Sequence, residues 1–149
     1  MMKNSLVITC IMFCLIATSS CINVKPIYYD DDKAVARKTI EQIHQLYNQD
    51  DFRAVYDLLT DRLKKEQSRE EFVASLKKLK EDNGRFLEKS EIDSQVAPQA
   101  SFREVRLKYS SKYEKGWCNE GFALFVDGKE AAVDLLMINP ADGPVKPKS

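Results

Sequence analysis

The chain is short of the residues that most often carry chemistry. It has one histidine, one tryptophan, five glycines and four cysteines in 149 residues. A lone His44 rules out a multi-histidine metal cluster. The glycines stand apart at 84, 116, 121, 128 and 143, so no glycine-rich phosphate loop of either common spacing is present. Charge of one sign is also missing, with 23 basic residues against 23 acidic ones. No net field draws a polyanion, which excludes nucleic acid as the expected partner. No apolar run exceeds twelve residues. The longest, Leu6–Ala17, makes about 18 Å of helix at 1.5 Å per residue, whereas the hydrocarbon core of a bilayer is about 30 Å thick.

Cysteine is scarce where a folded domain would use it. Cys10, Cys14 and Cys21 lie in or at the end of the apolar leader, and only Cys118 follows. A disulfide framework needs pairs, so none is expected. Cys118 is a lone thiol whose plainer role is that of a small buried apolar side chain.

What is present at the start has a recognisable order. Lys3 gives a positive n-region, Leu6–Ala17 an apolar h-region, and Ala17-Thr18-Ser19-Ser20-Cys21 a run of small residues ending in Cys. This resembles a lipobox, where bacterial lipoprotein processing acylates the Cys and cuts before it, although Thr18 stands where Leu is usual. The resemblance implies a signal peptide over 1–20 and a lipid-bearing Cys21 as the attachment residue. Ile22 after the Cys, in place of Asp, implies the outer membrane facing the periplasm. An ordinary secretory signal cut near Ser20 is the competing reading. Removing Lys3 with the leader leaves 22 basic against 23 acidic residues, a net charge of −1. Residues 21–31 form a linker, whose ten positions after Cys21 reach at most about 35 Å.

Residues 32–139 read as one α+β domain. Ala36, Ile40, Ile43 and Tyr47 recur at helical spacing over 32–48, behind Asp30-Asp31-Asp32, which suit an N-cap and the positive end of the helix dipole. Phe52, Val55, Tyr56 and Leu59 mark a second helix. Ser68-Arg69-Glu70-Glu71 is a capping-box start for a third, ending at Gly84 as a left-handed cap. Beyond Gly84 the period becomes two. Strands are expected over Arg85–Ile92, Phe102–Glu114 with a bend at Ser110-Ser111, Phe122–Val126, and Ala131–Ile138 after the Asp127-Gly128 turn. Helices followed by hairpin-linked strands predict three helices packed on a four-stranded antiparallel sheet. Residues 140–149 are expected to be a flexible tail.

Asn48–Thr60, Ser68–Phe72, Glu120-Gly121-Phe122 and Asp127-Gly128 resemble small secreted bacterial domains with the curved, cone-shaped fold of the cystatin-like and nuclear-transport-factor-two-like superfamily. That resemblance implies a sheet–helix pocket but no catalytic set. Lys129-Glu130-Ala131 stands where such domains often place Trp.

Site candidates are few. Asp134 lies between Val133 and Leu135 and, in a regular strand, shares a face with Ala132, Leu136 and Ile138. There it could serve an isomerase- or hydrolase-type pocket enzyme as general base; a partly solvated edge position is the plainer reading. Tyr109, Tyr113 and Trp117 could line the pocket or simply pack across strands. His44 lacks a carboxylate partner in the sequence and reads as a surface or boundary residue. Arg62, Lys64 and Lys65, with Lys77, Lys78 and Lys80, read as solvated helix faces, or as contacts to anionic lipid headgroups near the anchor. No metal and no cofactor is expected. The favoured expectation is a lipid-anchored, non-catalytic module for an envelope protein or an apolar ligand.

Overall fold

The computed structural model describes residues 29–147; the leader, Cys21 and most of the linker lie outside the described residues. The domain has four helices followed by four strands: α1 Asp30–Asn48, α2 Phe52–Asp57, α3 Asp61–Glu66 and α4 Arg69–Asn83, then β1 Phe86–Pro98, β2 Arg103–Tyr113, β3 Gly116–Asp127 and β4 Glu130–Ala141. The class is α+β. The strands form one antiparallel sheet in the order β1-β2-β3-β4, and the helices precede it in the chain.

α1 buries the expected stripe of Ala36, Ile40, Ile43 and Tyr47. Its three aspartates occupy the first turn, where the helix dipole favours negative charge. The cap position itself falls to Tyr29, which makes no side-chain cap bond. Asp51 caps α2 by accepting from Ala54 N at 3.1 Å. The predicted second helix is in fact two. Leu58 and Thr60 spend their backbone groups on the sheet instead: Val133 N donates to Leu58 O at 2.8 Å, and Thr60 N donates to Val133 O at 2.9 Å. That detour breaks the helix, and Thr60 then restarts the chain as the N-cap of α3.

Ser68 and Glu71 form the capping box of α4. Gly84 follows with φ 79° and ψ −159°. This is not the left-handed helical cap but the extended positive-φ region that is essentially restricted to glycine. It turns the chain straight into β1.

β1, β3 and β4 are longer than the alternation suggested, and β2 is one residue shorter at each end. β2 runs without interruption against β3, so the expected bend at Ser110-Ser111 is absent there. The irregularities sit on β1 instead, between Phe86 and Glu88 and between Glu91 and Asp93, bracketing the residues that pair with Ser110 and Ser111. A third lies on β4, where Leu124 pairs with Val133 but Ala123 pairs with Leu135, leaving Asp134 as the extra residue.

Register assigns the two faces of the sheet. Val105, Leu107, Tyr109, Ser111 and Tyr113 of β2 and Cys118, Glu120, Phe122, Leu124 and Val126 of β3 all turn toward the helices and are buried. The helices contribute Ile40, Ile43, Tyr47, Phe52, Val55, Phe72 and Leu76 to the same core. On the outer face, residues beyond β4 return across the sheet, where Val145 N donates to Ser110 Oγ at 2.9 Å.

Candidate functional site

Among the described residues, polar chemistry in the interior is concentrated in a network between α1 and the middle of the sheet. His44 projects from the fourth turn of α1, on the flank of the Ile40–Ile43–Tyr47 stripe, and is only 4% exposed. Opposite it stands Glu120 of β3, 2% exposed. His44 Nε2 lies 3.1 and 3.0 Å from the two Glu120 oxygens. A carboxylate only accepts, so Nε2 carries the proton. Ser111 Oγ donates to Glu120 Oε2 at 2.7 Å, and Tyr113 OH donates to Oε1 at 2.5 Å. Three donors therefore converge on one buried carboxylate.

The electrostatic consequence follows from competing effects. Burial pushes the Glu120 carboxyl up, but hydrogen bonds and charge from His44, then Tyr113 and Ser111, outweigh it and hold the carboxyl below its ordinary range. Tyr113 shifts the opposite way, raised by burial and by the neighbouring Glu120 charge. Cys118 beside them is likewise raised, by burial first and by Glu120 second.

The other ring nitrogen, His44 Nδ1, is buried with no hydrogen-bond partner among the described residues. The imidazole is stacked on Phe86, with centroids 3.7 Å apart and planes 9° from parallel. An open hollow of roughly 270 Å³ adjoins this pair, lined by Glu41, Gln45, Asn48, Leu87 and Lys89 as well. The chemistry available is limited by the pairing. Ser111 donates to Glu120 and not to His44, so the imidazole activates no hydroxyl, and the set is not a nucleophile–base arrangement. It is a polar tie. A second tie lies seven residues earlier on the same helix, where Arg37 Nε and Nη2 reach the two oxygens of Glu91 at 2.8 and 2.9 Å, and Tyr109 OH joins at 3.3 Å. Seven residues are about two helical turns, so both ties lie on one side of α1 and fix its register over the sheet.

His44 is therefore not a surface residue, and its carboxylate partner exists. The sequence does carry a signal for it. Glu120 has the same parity as Cys118, Phe122, Leu124 and Val126, which marks an inward position once β3 is extended back beyond Phe122.

The other candidates are dispersed. Tyr109 and Tyr113 face the helices within the core, whereas Trp117 lies on the outer face, under the Lys112 ammonium at 5.3 Å from its ring. The three do not line a common pocket. Asp134 sits on the β4 bulge and is 9% exposed. The bulge switches parity, so Ala131 and Val133 face the core before it and Leu136 and Ile138 after it, and Ala132 is no longer on their face. The Asp134 carboxylate is held by Arg62 Nε at 3.0 Å, Arg62 Nη2 at 2.8 Å and Thr60 Oγ1 at 2.8 Å. It is a structural anchor for the α2–α3 corner. Of the basic helix residues, Arg62 is thus committed to Asp134, Lys78 pairs with Asp82, and Lys80 bonds Asp50 and the carbonyls of Tyr47 and Asn48. A further hollow, roughly 480 Å³, is open and lies at the Phe102–Phe125 end beside Asp61, Asp127 and Glu130. Among the described residues, no cluster of His, Cys, Asp and Glu is arranged for a metal ion, and no helix is long and apolar enough to cross a membrane. No family model, curated protein or solved structure matches the chain.

Proposed function

We propose that the chain is a bacterial lipoprotein, held to the envelope through acylated Cys21, whose domain is a non-catalytic binding or accessory module. The anchor rests on the leader: a positive n-region, a twelve-residue apolar run and a small-residue stretch ending in Cys21. Two or three acyl chains hold where one would hold only marginally. The short linker keeps the domain near the bilayer, at the outer membrane on the periplasmic side. The helices-first order and the four-stranded antiparallel meander support the resemblance to the cystatin-like superfamily.

The observation that carries the module reading is how the interior is used. Tyr47, Tyr113, Phe122 and Leu107 fill the space between helices and sheet, and the Glu120 carboxylate there is bonded by His44 Nε2, Ser111 and Tyr113. A pocket enzyme with Asp134 as base would first have to release that carboxylate from Arg62. Binding is therefore a task for the surface, with an envelope protein as the partner.

Cys21→Ser separates the two halves of this reading. The variant should lose incorporation of labelled palmitate and leave the membrane fraction while keeping the fold; full membrane retention would overturn the anchor. Cross-linking of the native chain in intact cells should recover a distinct envelope protein. Repeated recovery of the uncross-linked chain alone would overturn the accessory role.

A further inference from the structure

Asparagine followed by glycine is the pairing in which a side-chain amide reacts most readily with its own main chain, because glycine has no Cβ to hinder close approach. The chain holds one such pair, Asn83-Gly84, at the junction of α4 and β1. The chemistry needs no co-reactant but water. The Gly84 amide nitrogen loses its proton and bonds to Asn83 Cγ; the Cγ–Nδ2 bond breaks, and Nδ2 leaves with that proton as ammonia. Water then opens the cyclic imide. Cleavage at Cγ leaves aspartate, whereas cleavage at the main-chain carbonyl leaves isoaspartate, whose chain runs on through Cγ.

The fold ties down each group that this step needs. The nucleophile is committed, since Gly84 N donates to Lys80 O at 2.8 Å, and Gly84 is buried. The side-chain amide is held at both ends. Asn83 Nδ2 donates to Leu79 O at 3.0 Å, and Oδ1 accepts from Cys118 Sγ at 3.5 Å. The flanking carbonyls are fixed as well: Lys115 N donates to Asn83 O at 3.0 Å, and Tyr47 OH donates to Gly84 O at 3.1 Å. Asn83 is the last helical residue of α4, and ring closure requires the peptide group after it to turn out of the helix toward Cγ. That turn breaks these bonds together. In an unfolded chain none of them stands in the way.

We propose that Asn83-Gly84 is a self-modification site that the native fold holds shut, and that its conversion in an unfolded chain blocks return to the native junction. The second half follows from where the products would sit. Aspartate puts an oxygen where Nδ2 now donates to Leu79 O, so an acceptor faces an acceptor. It also adds negative charge at the carbonyl end of α4, where the helix dipole disfavours it, after Glu81 and Asp82. Isoaspartate instead inserts one extra main-chain carbon into a junction pinned on both sides. Arg85 N donates to Glu114 Oε2 at 2.9 Å, and Asn48 brackets Phe86, donating to its carbonyl and accepting from its N–H, both at 2.9 Å. The pair thus records time spent unfolded. This inference does not depend on the lipid anchor.

The test follows residue 83 by peptide mass in the full chain, kept in detergent buffer at mildly alkaline pH with or without urea. In urea the peptide should gain the mass of OH in place of NH2 and separate into aspartate and isoaspartate forms. Without urea the conversion should be slower by at least about tenfold, because only opened molecules react. Asn83→Gln, compared in urea where folding plays no part, should show no gain at that peptide over the same period. On removal of urea, converted chains should stay protease-sensitive while unconverted chains from the same sample regain resistance. Equal rates with and without urea, an unconverted residue 83 in urea, the same mass gain in the Asn83→Gln variant, or converted chains that regain resistance as fully as unconverted ones would each overturn the proposal.

Discussion

At the scale of single residues, the buried pair of His44 and Glu120 dominates. A paired buried charge is weak ground for extra stability, but removing one partner is costly because the other stays buried and unmatched. Glu120→Ala strands three donors, from His44, Ser111 and Tyr113. A loss of about 3–5 kcal/mol is expected, readable as a lower urea midpoint. Glu120→Gln keeps the shape and one acceptor, so a smaller loss is expected; equal losses would mean that the carboxylate's charge and second acceptor, rather than side-chain volume, matter at this position. The identity of this pair was only half legible in the sequence. Parity along β3 places Glu120 inward, but nothing in the order of residues says that α1 crosses the sheet with His44 above it. That fact belongs to packing. Asp134 failed for a different reason. Its face depends on strand regularity, and a bulge, which shifts parity by one, leaves no signature in a run such as Val133-Asp134-Leu135-Leu136.

At the scale of elements, the glycines separate two kinds of constraint. Gly84 joins α4 to β1 at φ 79°, and a Cβ there would lie 2.7 Å from Glu114 Oε2 and 2.8 Å from Glu114 Cβ. Gly128 opens the β3–β4 hairpin at φ 62° with nothing within 4 Å of an added Cβ. Gly84→Ala should therefore destabilise by about 1–3 kcal/mol, and Gly128→Ala by about 1 kcal/mol, for backbone conformation alone. Thermal melts of the two variants test the order; a larger effect at 128 would contradict it. Element types and order could be read from apolar periodicity, and the capping box at Ser68–Glu71 sits as its pattern indicates. The split of α2 from α3 was hidden, because Leu59 continues the stripe of Phe52, Val55 and Tyr56. What breaks the helix is a backbone pairing with Val133, seventy-odd positions later in the chain, which local propensity cannot foresee.

At the scale of the whole molecule, the two ties beneath α1 make stability depend on acid. The Arg37 hydrogen bond leads the effects that hold Glu91 below its usual range. At Glu120, burial opposes but the donors prevail, with the same net direction. Both carboxyls thus titrate lower in the folded state than in the unfolded one, where the ordinary value is about 4.3. In acid the unfolded chain binds more protons. The contribution is complete above that ordinary value and is lost as pH falls through the lower folded values, with a limiting slope of about 1.4 kcal/mol per pH unit for each carboxyl. Urea midpoints measured from pH 7 to pH 3 should fall steeply at the acid end. The double variant Glu91→Gln, Glu120→Gln should flatten that decline; an unaltered slope would place the acid sensitivity elsewhere.

The order of elements has a mechanical consequence. The chain enters the domain at Tyr29, and this end of α1 is fastened by Asp32 to Arg103 at the start of β2, 3.1 Å away. All four strands follow the helices and are joined in simple succession. A pull arriving from the amino-terminal side therefore loads α1 lengthwise and reaches the sheet through the Asp32–Arg103 pair, the rivets at Arg37–Glu91 and His44–Glu120, the Asn48–Phe86 bonds and the apolar stripe of the helix. Under such tension the helix is the part that peels, and the sheet is the part that keeps its grip.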